Sequence, residues 1–338
     1  MSVPQPRAPL RLLLGGDVML GRGVAPVLEA LGPAYPLEAL SRLIADADLF
    51  FVNLECALSA RQQRFAGAAK AFYFRAGPDA VRALTAAGVD LVTLANNHVL
   101  DADVAGLTDT LAILAQHGIA SVGAGADLAA ASEVRAMECR GWRLGVLAVC
   151  DHQADFAAAQ DRPGIHYLDL EDARSRRRLV ERVRAEAPRF DHLVVSLHWL
   201  PNWVPSIPPL YRRLAGELVD AGARVLWGHS PHHILGTQWW PRAVALYSTG
   251  DLIDDYALDL HFRNDRQLLY LLELGEGRVA RVIAYPLGLR FGRAEPADAD
   301  VRRWIEAWLR DACAALGSEV IASGQAFEIR RRSPRGNP

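Results

Sequence analysis

Seven residues stand out for chemistry: Asp17, Glu55, Asn97, His98, His198, His229 and His232. Each lies at or just beyond the end of a short apolar run. Imidazoles, carboxylates and an amide oxygen together suit a mid-series divalent cation such as Zn, Mn or Fe better than Ca or Mg. The signal is the recurrence, because each residue alone has an ordinary role. An Asp after a strand caps a turn. Asn96 and Asn97 tolerate left-handed backbone. A histidine in an apolar strand is commonly a satisfied core residue. Glu55 is less ordinary, since an unpaired buried carboxylate is costly. His229, His232 and His233 crowd into five positions. Which of the last two faces the others is open from spacing alone.

Three further residues sit close by. His98 titrates near neutral pH and could carry a proton at a reacting bond. Asp101, three positions on, could orient His98 or simply cap a helix. Arg22 follows the first run and could grip an anion bidentately. In so arginine-rich a chain it could equally be an ordinary surface residue.

The elements that must position these residues alternate. Arg11 to Asp17, Leu49 to Glu55, Leu91 to Ala95, Trp142 to Cys150, His192 to Trp199 and Arg224 to Trp227 read as buried strands. Val134 to Cys139 pairs with Trp142 to Cys150 as a hairpin. Val244 to Tyr247, Gln267 to Leu274 and Arg278 to Ala284 read as further strands. Pro36 to Ala45, Pro78 to Ala87, Asp103 to His117, Glu171 to Ala187, Pro209 to Ala221 and Val301 to Leu316 read as helices, several closed by glycine. In open α/β sheets, ligands bind beyond the carboxyl ends of strands. The chemistry-bearing residues are therefore expected to converge there. The pattern predicts one α/β domain over 10–325, with a flexible tail at 1–9 and a basic tail at 326–338.

Composition removes several alternatives. The chain has 338 residues, 51% of them hydrophobic, enough to bury a large core. Lys plus Arg total 37 against 39 acidic residues, so the formal charge of −2 disfavours a general nucleic-acid binder. One lysine, Lys70, is present, and every other cation is arginine. The four cysteines form no CxxC pair and no disulfide framework. No stretch of 18 apolar residues occurs, and Leu10 to Leu14 is too short for a signal-peptide core. The expectation is a soluble, cytoplasmic protein. No GxSxG nucleophile elbow, Walker A loop or complete dinucleotide fingerprint is present.

The residues also resemble a family. Gly16-Asp17-Val18-Met19-Leu20, Asn53-Leu54-Glu55, Asn96-Asn97-His98, Asp101, Gly106-Leu107, Gly118-Ile119 and Gly123-Ala124-Gly125 occur in order. His198-Trp199, Gly228-His229-Ser230-Pro231-His232 and Tyr247-Ser248-Thr249-Gly250-Asp251 follow. The set resembles the bacterial capsule-synthesis CapA family, associated with poly-γ-glutamate capsules, over about Leu10 to Leu289. That family is similar in turn to the calcineurin-like metallophosphoesterases. The resemblance implies a four-layer α/β/β/α sandwich with one or two metal ions. It implies metal ligation by Asp17, Glu55, Asn97, His198, His229 and His232, with His232 preferred over His233. His98 with Asp101 would serve catalysis, and Arg22 and Asn53 the substrate.

Three departures accompany it. The phosphoesterases have Asp-x-His first, whereas Asp17 is followed here by Val18 and Met19, so a second metal would be held weakly or not at all. A motif that often reads His-Trp-Gly-x-Glu-Tyr is here His198-Trp199-Leu200-Pro201-Asn202-Trp203. The asparagine usual after Tyr-Ser-x-Gly is Asp251. The resemblance implies a metal-dependent hydrolase acting on a phosphate ester or amide of an anionic cell-envelope or poly-γ-glutamate-related compound. A non-catalytic accessory role in capsule-polymer synthesis or export is the alternative. Relatives commonly carry a membrane anchor. Without one, this chain is expected to act in the cytoplasm or be brought to the membrane by a partner.

Overall fold

Short apolar runs rich in Leu and Val, punctuated by Gly, Asn and Asp, form central strands because both their faces must be covered. The computed structural model describes residues 7–332. In the first half the strands are β1 (Leu10–Val18), β2 (Leu49–Leu54), β3 (Ala57–Leu58), β4 (Arg75–Ala76), β5 (Leu91–Thr93), β6 (Ala120–Val122), β7 (Ala124–Gly125), β8 (Arg135–Cys139), β9 (Trp142–Cys150) and β10 (Gly164–Ile165). In the second half they are β11 (His192–His198), β12 (Val225–His229), β13 (Thr237–Trp239), β14 (Val244–Leu246), β15 (Asp251–Ile253), β16 (Arg266–Gly275), β17 (Arg278–Arg290), β18 (Arg293–Pro296), β19 (Ser318–Ser323) and β20 (Ala326–Arg331). The helices are α1 (Val24–Leu31), α2 (Ser41–Ala45), α3 (Val81–Ala86), α4 (Asp103–Gln116), α5 (Leu128–Ala131), α6 (Ala173–Glu186), α7 (Pro209–Asp220) and α8 (Ala299–Ala314).

Two sheets form the middle layers. The first runs β19-β20-β17-β16-β1-β2-β5-β6, with β15 beside β1 and β18 beside β17. Its half from β1 to β6 is parallel, and its half from β16 to β19 is antiparallel. The second runs β13-β14-β12-β11-β9-β8, parallel except for its two edge strands. Strand alternation divides β9 cleanly. Leu144, Val146 and Ala148 join the core shared with the first sheet, while Leu147 and Val149 face the other way. That outer face is covered by α6 and α7 through Leu179, Val183, Leu214 and Leu218. Helices α3, α4 and α8 pack with the first sheet through Leu84, Leu107, Leu114, Ile305 and Leu309. The result is the four-layer α/β/β/α sandwich. Each fully buried leucine contributes about 2 kcal/mol. Trp227 ties the two sheets together, its indole N–H donating to Gly15 O at 3.0 Å.

Some expectations change. Pro36 to Ala45 is not one helix but a 3-10 turn (Glu38–Leu40) running into the short α2. The tails are largely tied down where they are described. Arg7 lies 3.7 Å over the Trp142 ring and pairs with Asp191 at 2.8 Å, while Trp142 donates to Ala8 O. Residues 1–6 and 333–338 lie outside the described residues. Within the expected basic tail, β20 pairs with β17 and β19 and buries Phe327 and Ile329 completely. Charge at alternate positions hid a strand whose other face is apolar.

Candidate metal centre

Register brings the chemistry together. In the first sheet Asp17 is aligned with Asn53 on β2 and with Asp251 on β15. In the second, His198 is aligned with His229. Asp17, Asn53, His198 and His229 lie at the carboxyl ends of parallel strands, while Asp251 opens β15, so two sheets deliver their polar residues to one end of the sandwich. Gly16 makes the approach possible: a Cβ there would lie 1.9 Å from Gly250 O. Asp17 N donates to that same carbonyl at 2.9 Å.

Two groups of ligand atoms result, Asp17 with His198 and His229, and Asp17 with His232 and Asp251. Asp17 belongs to both. His229 Nδ1 is 3.8 Å from Asp17 Oδ1, and His232 Nδ1 is 3.6 Å from Asp17 Oδ2. His232 Nδ1 is 2.8 Å from Asp251 Oδ1. His198 Nε2 lies 3.0 Å from Asn97 Oδ1. An amide oxygen only accepts, so that nitrogen carries the hydrogen and Nδ1 presents its lone pair. His198 Nδ1 faces His229 Nδ1 at 2.8 Å, and a proton or a cation has to sit between them. Ser230 and His232 both hold positive φ, 103° and 62°, on either side of Pro231. Such strain concentrates where a loop must aim a side chain.

The electrostatics fit a cation. Asp17, Glu55 and Asp251 are all essentially inaccessible. Burial pushes the Asp17 carboxyl up. It pushes Glu55 and Asp251 well up, and neighbouring carboxylates add to this. Asp254, also buried, is raised to about 6. Glu55 Oε2 and Asp251 Oδ2 have no hydrogen-bond partner. Burial holds His198 well below its usual range and lowers His229 to about 3, so both imidazoles are neutral ligand donors. Carboxylates short of positive charge beside neutral imidazoles match a mid-series divalent cation.

Beside this cluster stands a second constellation. His98 Nδ1 is 2.6 Å from Asp101 Oδ2. Asp101 also accepts from Phe74 N at 2.6 Å and from Lys70 Nζ at 2.6 Å. Lys70 Nζ additionally bonds Asn97 O. Phe74 stacks on His98 with centroids 3.9 Å apart. Burial lowers His98 to about 4, despite the bond to Asp101, so the ring is neutral. With Nδ1–H directed at Asp101, Nε2 carries the lone pair and lies 4.0 Å from Glu55 Oε1.

The other expected site residues have definite surroundings. Asn53 is fully buried: its amide donates to Asp17 Oδ1 at 2.8 Å, and its oxygen accepts from Asn96 at 3.0 Å. It fixes the carboxylate. Asn97 Oδ1 is engaged by His198 and orients that ring. Glu55 borders the cluster, its Oε1 3.8 Å from His198 Nε2, outside both ligand groups. His233 turns away and bonds Val204 O at 2.9 Å, leaving His232 facing the carboxylates. Asp101 sits before α4 and accepts from Phe74 and Lys70, so orienting His98 rather than capping the helix is its place here. Arg22 lies at the rim, its Nε 3.4 Å from Asp255. Sequence reasoning missed Lys70, Asp251 as part of the cluster, and His152, whose ring is 5.6 Å from that of His198. The sole lysine was the available signal for Lys70.

Fold and donor set together define the metallophosphoesterase-like class of α/β sandwich. The chain belongs to the bacterial capsule synthesis protein PGA_cap family, whose model matches residues 11–256. It is 32% identical to a probable polyglutamine synthesis accessory protein of Mycobacterium tuberculosis, over 92% of this chain and 93% of that one. It is 25% identical to the capsule biosynthesis protein CapA of Bacillus anthracis, over 85% of this chain and 69% of the relative. It is 27% identical to the PGA biosynthesis protein CapA of Bacillus subtilis, over 71% and 62%. Among the described residues no helix is long and apolar enough to cross a membrane.

Proposed function

We propose that the chain is a metal-dependent hydrolase acting on a phosphate ester or amide of an anionic cell-envelope or poly-γ-glutamate-related compound. The observation that carries this reading is Asp17, shared by two three-residue ligand groups. Asp17, His198 and His229 would hold one cation, and Asp17, His232 and Asp251 a second. Asp251 supplies a donor on the side where the first-motif histidine is absent. In place of that histidine stands Met19, buried, with its sulfur accepting from Gly21 N at 3.1 Å. A divalent cation bound there lowers the pKa of a bound water towards about 7 and offsets charge at the reacting centre.

The chain's own residues do the rest. Asn53 fixes Asp17, and Asn97 fixes His198. Asp101 holds Nδ1–H of His98, so Nε2 is the atom that takes up a proton and returns it to the leaving oxygen or nitrogen. Lys70 holds Asp101 in place for this. The test is metal content and turnover of bis(p-nitrophenyl) phosphate with and without Mn. Mn-dependent turnover, lost in His198→Ala, supports the reading. Stoichiometric metal with no turnover of phosphodiester or γ-glutamyl amide favours the accessory role that the mycobacterial relative's name describes.

A further inference from the structure

Between β3 and β4 the chain makes an arm, residues 59–74, whose base is closed by the pairing of Ala57 with Arg75 and Leu58 with Ala76. The arm's inner side sends Lys70 to Asp101. Elsewhere it supplies Gln62, Gln63, Arg64 and Tyr73 to a cavity of 280 Å³, completed by Arg75, Arg22 and Asp101. Arg22 reaches it because Gly21 passes against the Arg75 backbone. A Cβ at Gly21 would lie 2.3 Å from Arg75 O. Arg22 itself holds φ 50°, a conformation uncommon outside glycine.

The charge of this cavity opposes that of the metal cluster. Arg75 donates only to neutral acceptors, Ser59 O at 3.1 Å and Gln62 Oε1 at 3.0 Å. Arg64 lies 4.6 Å over the Tyr73 ring, and among the described residues it has no carboxylate partner. Asp101, the one acid in the lining, is already matched by Lys70 and Phe74 N. Arg22 keeps its contact with Asp255, 3.4 Å from its Nε, while Arg64 and Arg75 face the cavity as ready-made forks for carboxylate or phosphate. The cavity also lies close to the chemistry. Arg22 sits 5.4 Å from the centroid of Phe74, the ring that stacks on His98.

We propose that this cavity is a second anion subsite, in which Arg22, Arg64 and Arg75 hold a carboxylate or phosphate of the substrate one aromatic ring away from the reacting bond. The inference rests on the hydrolase reading for where that bond lies. The preferred substrate then carries two anionic centres, one at the metal cluster and one beyond Phe74. A chain of repeating acidic units meets that requirement, with either carboxylate or phosphate as the anion.

The test is calorimetric titration of the full chain, stripped of metal with EDTA, using tri-γ-glutamate and tripolyphosphate as separate probes. Binding without metal isolates the subsite from the catalytic question. The expected result is saturable binding of one probe, weakened about tenfold or more in Arg64→Gln/Arg75→Gln and retained in His198→Ala. The probe that binds identifies the anion. Equal affinity of wild type and the double arginine variant for the bound probe overturns the proposal, as does failure of both probes to bind. Arg64 is exposed and Arg75 half-buried, so a thermal melt of the variant checks that it is folded. Binding with no turnover of any ester or amide would remove the hydrolase reading and leave the subsite standing.

Discussion

Asp17 and Asp251 are register partners on adjacent parallel strands, and His232 Nδ1 lies between them, 3.6 Å from one carboxylate and 2.8 Å from the other. Only Asp17 also reaches towards His198 and His229. The two aspartates should therefore behave differently. Asp17→Asn should reduce bound Mn to background. Asp251→Asn should lose about half of a two-ion complement, because the group with His198 and His229 survives. Metal analysis by mass spectrometry after Mn loading and desalting checks this, and equal retention by both variants would refute the shared role.

His98 lies outside both ligand groups, its Nε2 4.0 Å from Glu55 Oε1, and makes its close bond to Asp101. Its removal should spare metal while harming turnover. His98→Ala should lower kcat about a hundredfold or more with unchanged Mn content. Asp101→Asn, which keeps shape but loses charge, should cost less. Loss of metal together with activity in His98→Ala would instead make His98 part of the ligand set.

Gly16 is where the backbone of β1 meets that of the 248–251 turn. Adding one methyl in Gly16→Ala forces these strands apart, because the Gly250 carbonyl occupies the space. Overpacking of this kind costs about 1–3 kcal/mol. The melting temperature should fall and Mn affinity with it, as Asp17 is the next residue. A variant as stable as the parent would show that the turn relaxes freely.

His192 offers a pH test away from the metal centre. It is fully buried beside Trp142, and burial lowers it from 6.5 to about 4. The unfolded chain then binds a proton below 6.5 that the folded chain refuses. The histidine's contribution is complete above that pH and is lost as pH falls towards 4, on the order of 3 kcal/mol across the window. His192→Leu should narrow the gap in melting temperature between pH 7 and pH 4.5. An unchanged gap would mean that His192 titrates normally.

Strand ends were the legible part of this protein. Asp17, His198 and His229 close apolar runs, so the sequence pattern alone aims them at one end of the sheets. The sandwich was legible through ordered motifs rather than through periodicity. What stayed hidden depends on distant packing. Asp251 looked like a simple change from asparagine, and only the β1–β15 pairing sets it beside Asp17. Lys70 lies in an arm without periodicity, so nothing local announced that it reaches Asp101, 31 positions away. His232 and His233 are neighbours in sequence, and the left-handed turn at His232 decides which faces the carboxylates. The hairpin β19–β20 was masked by arginines on its exposed positions.

Lys70 is the only lysine in 338 residues, and its side chain is 9% exposed. Apart from the chain terminus, the protein thus has a single primary amine, placed beside Asp101 and His98. Reductive methylation with isotopically labelled formaldehyde would put one lysine-borne NMR signal at the heart of the molecule. That signal would report metal loading and anion entry without any substrate being known.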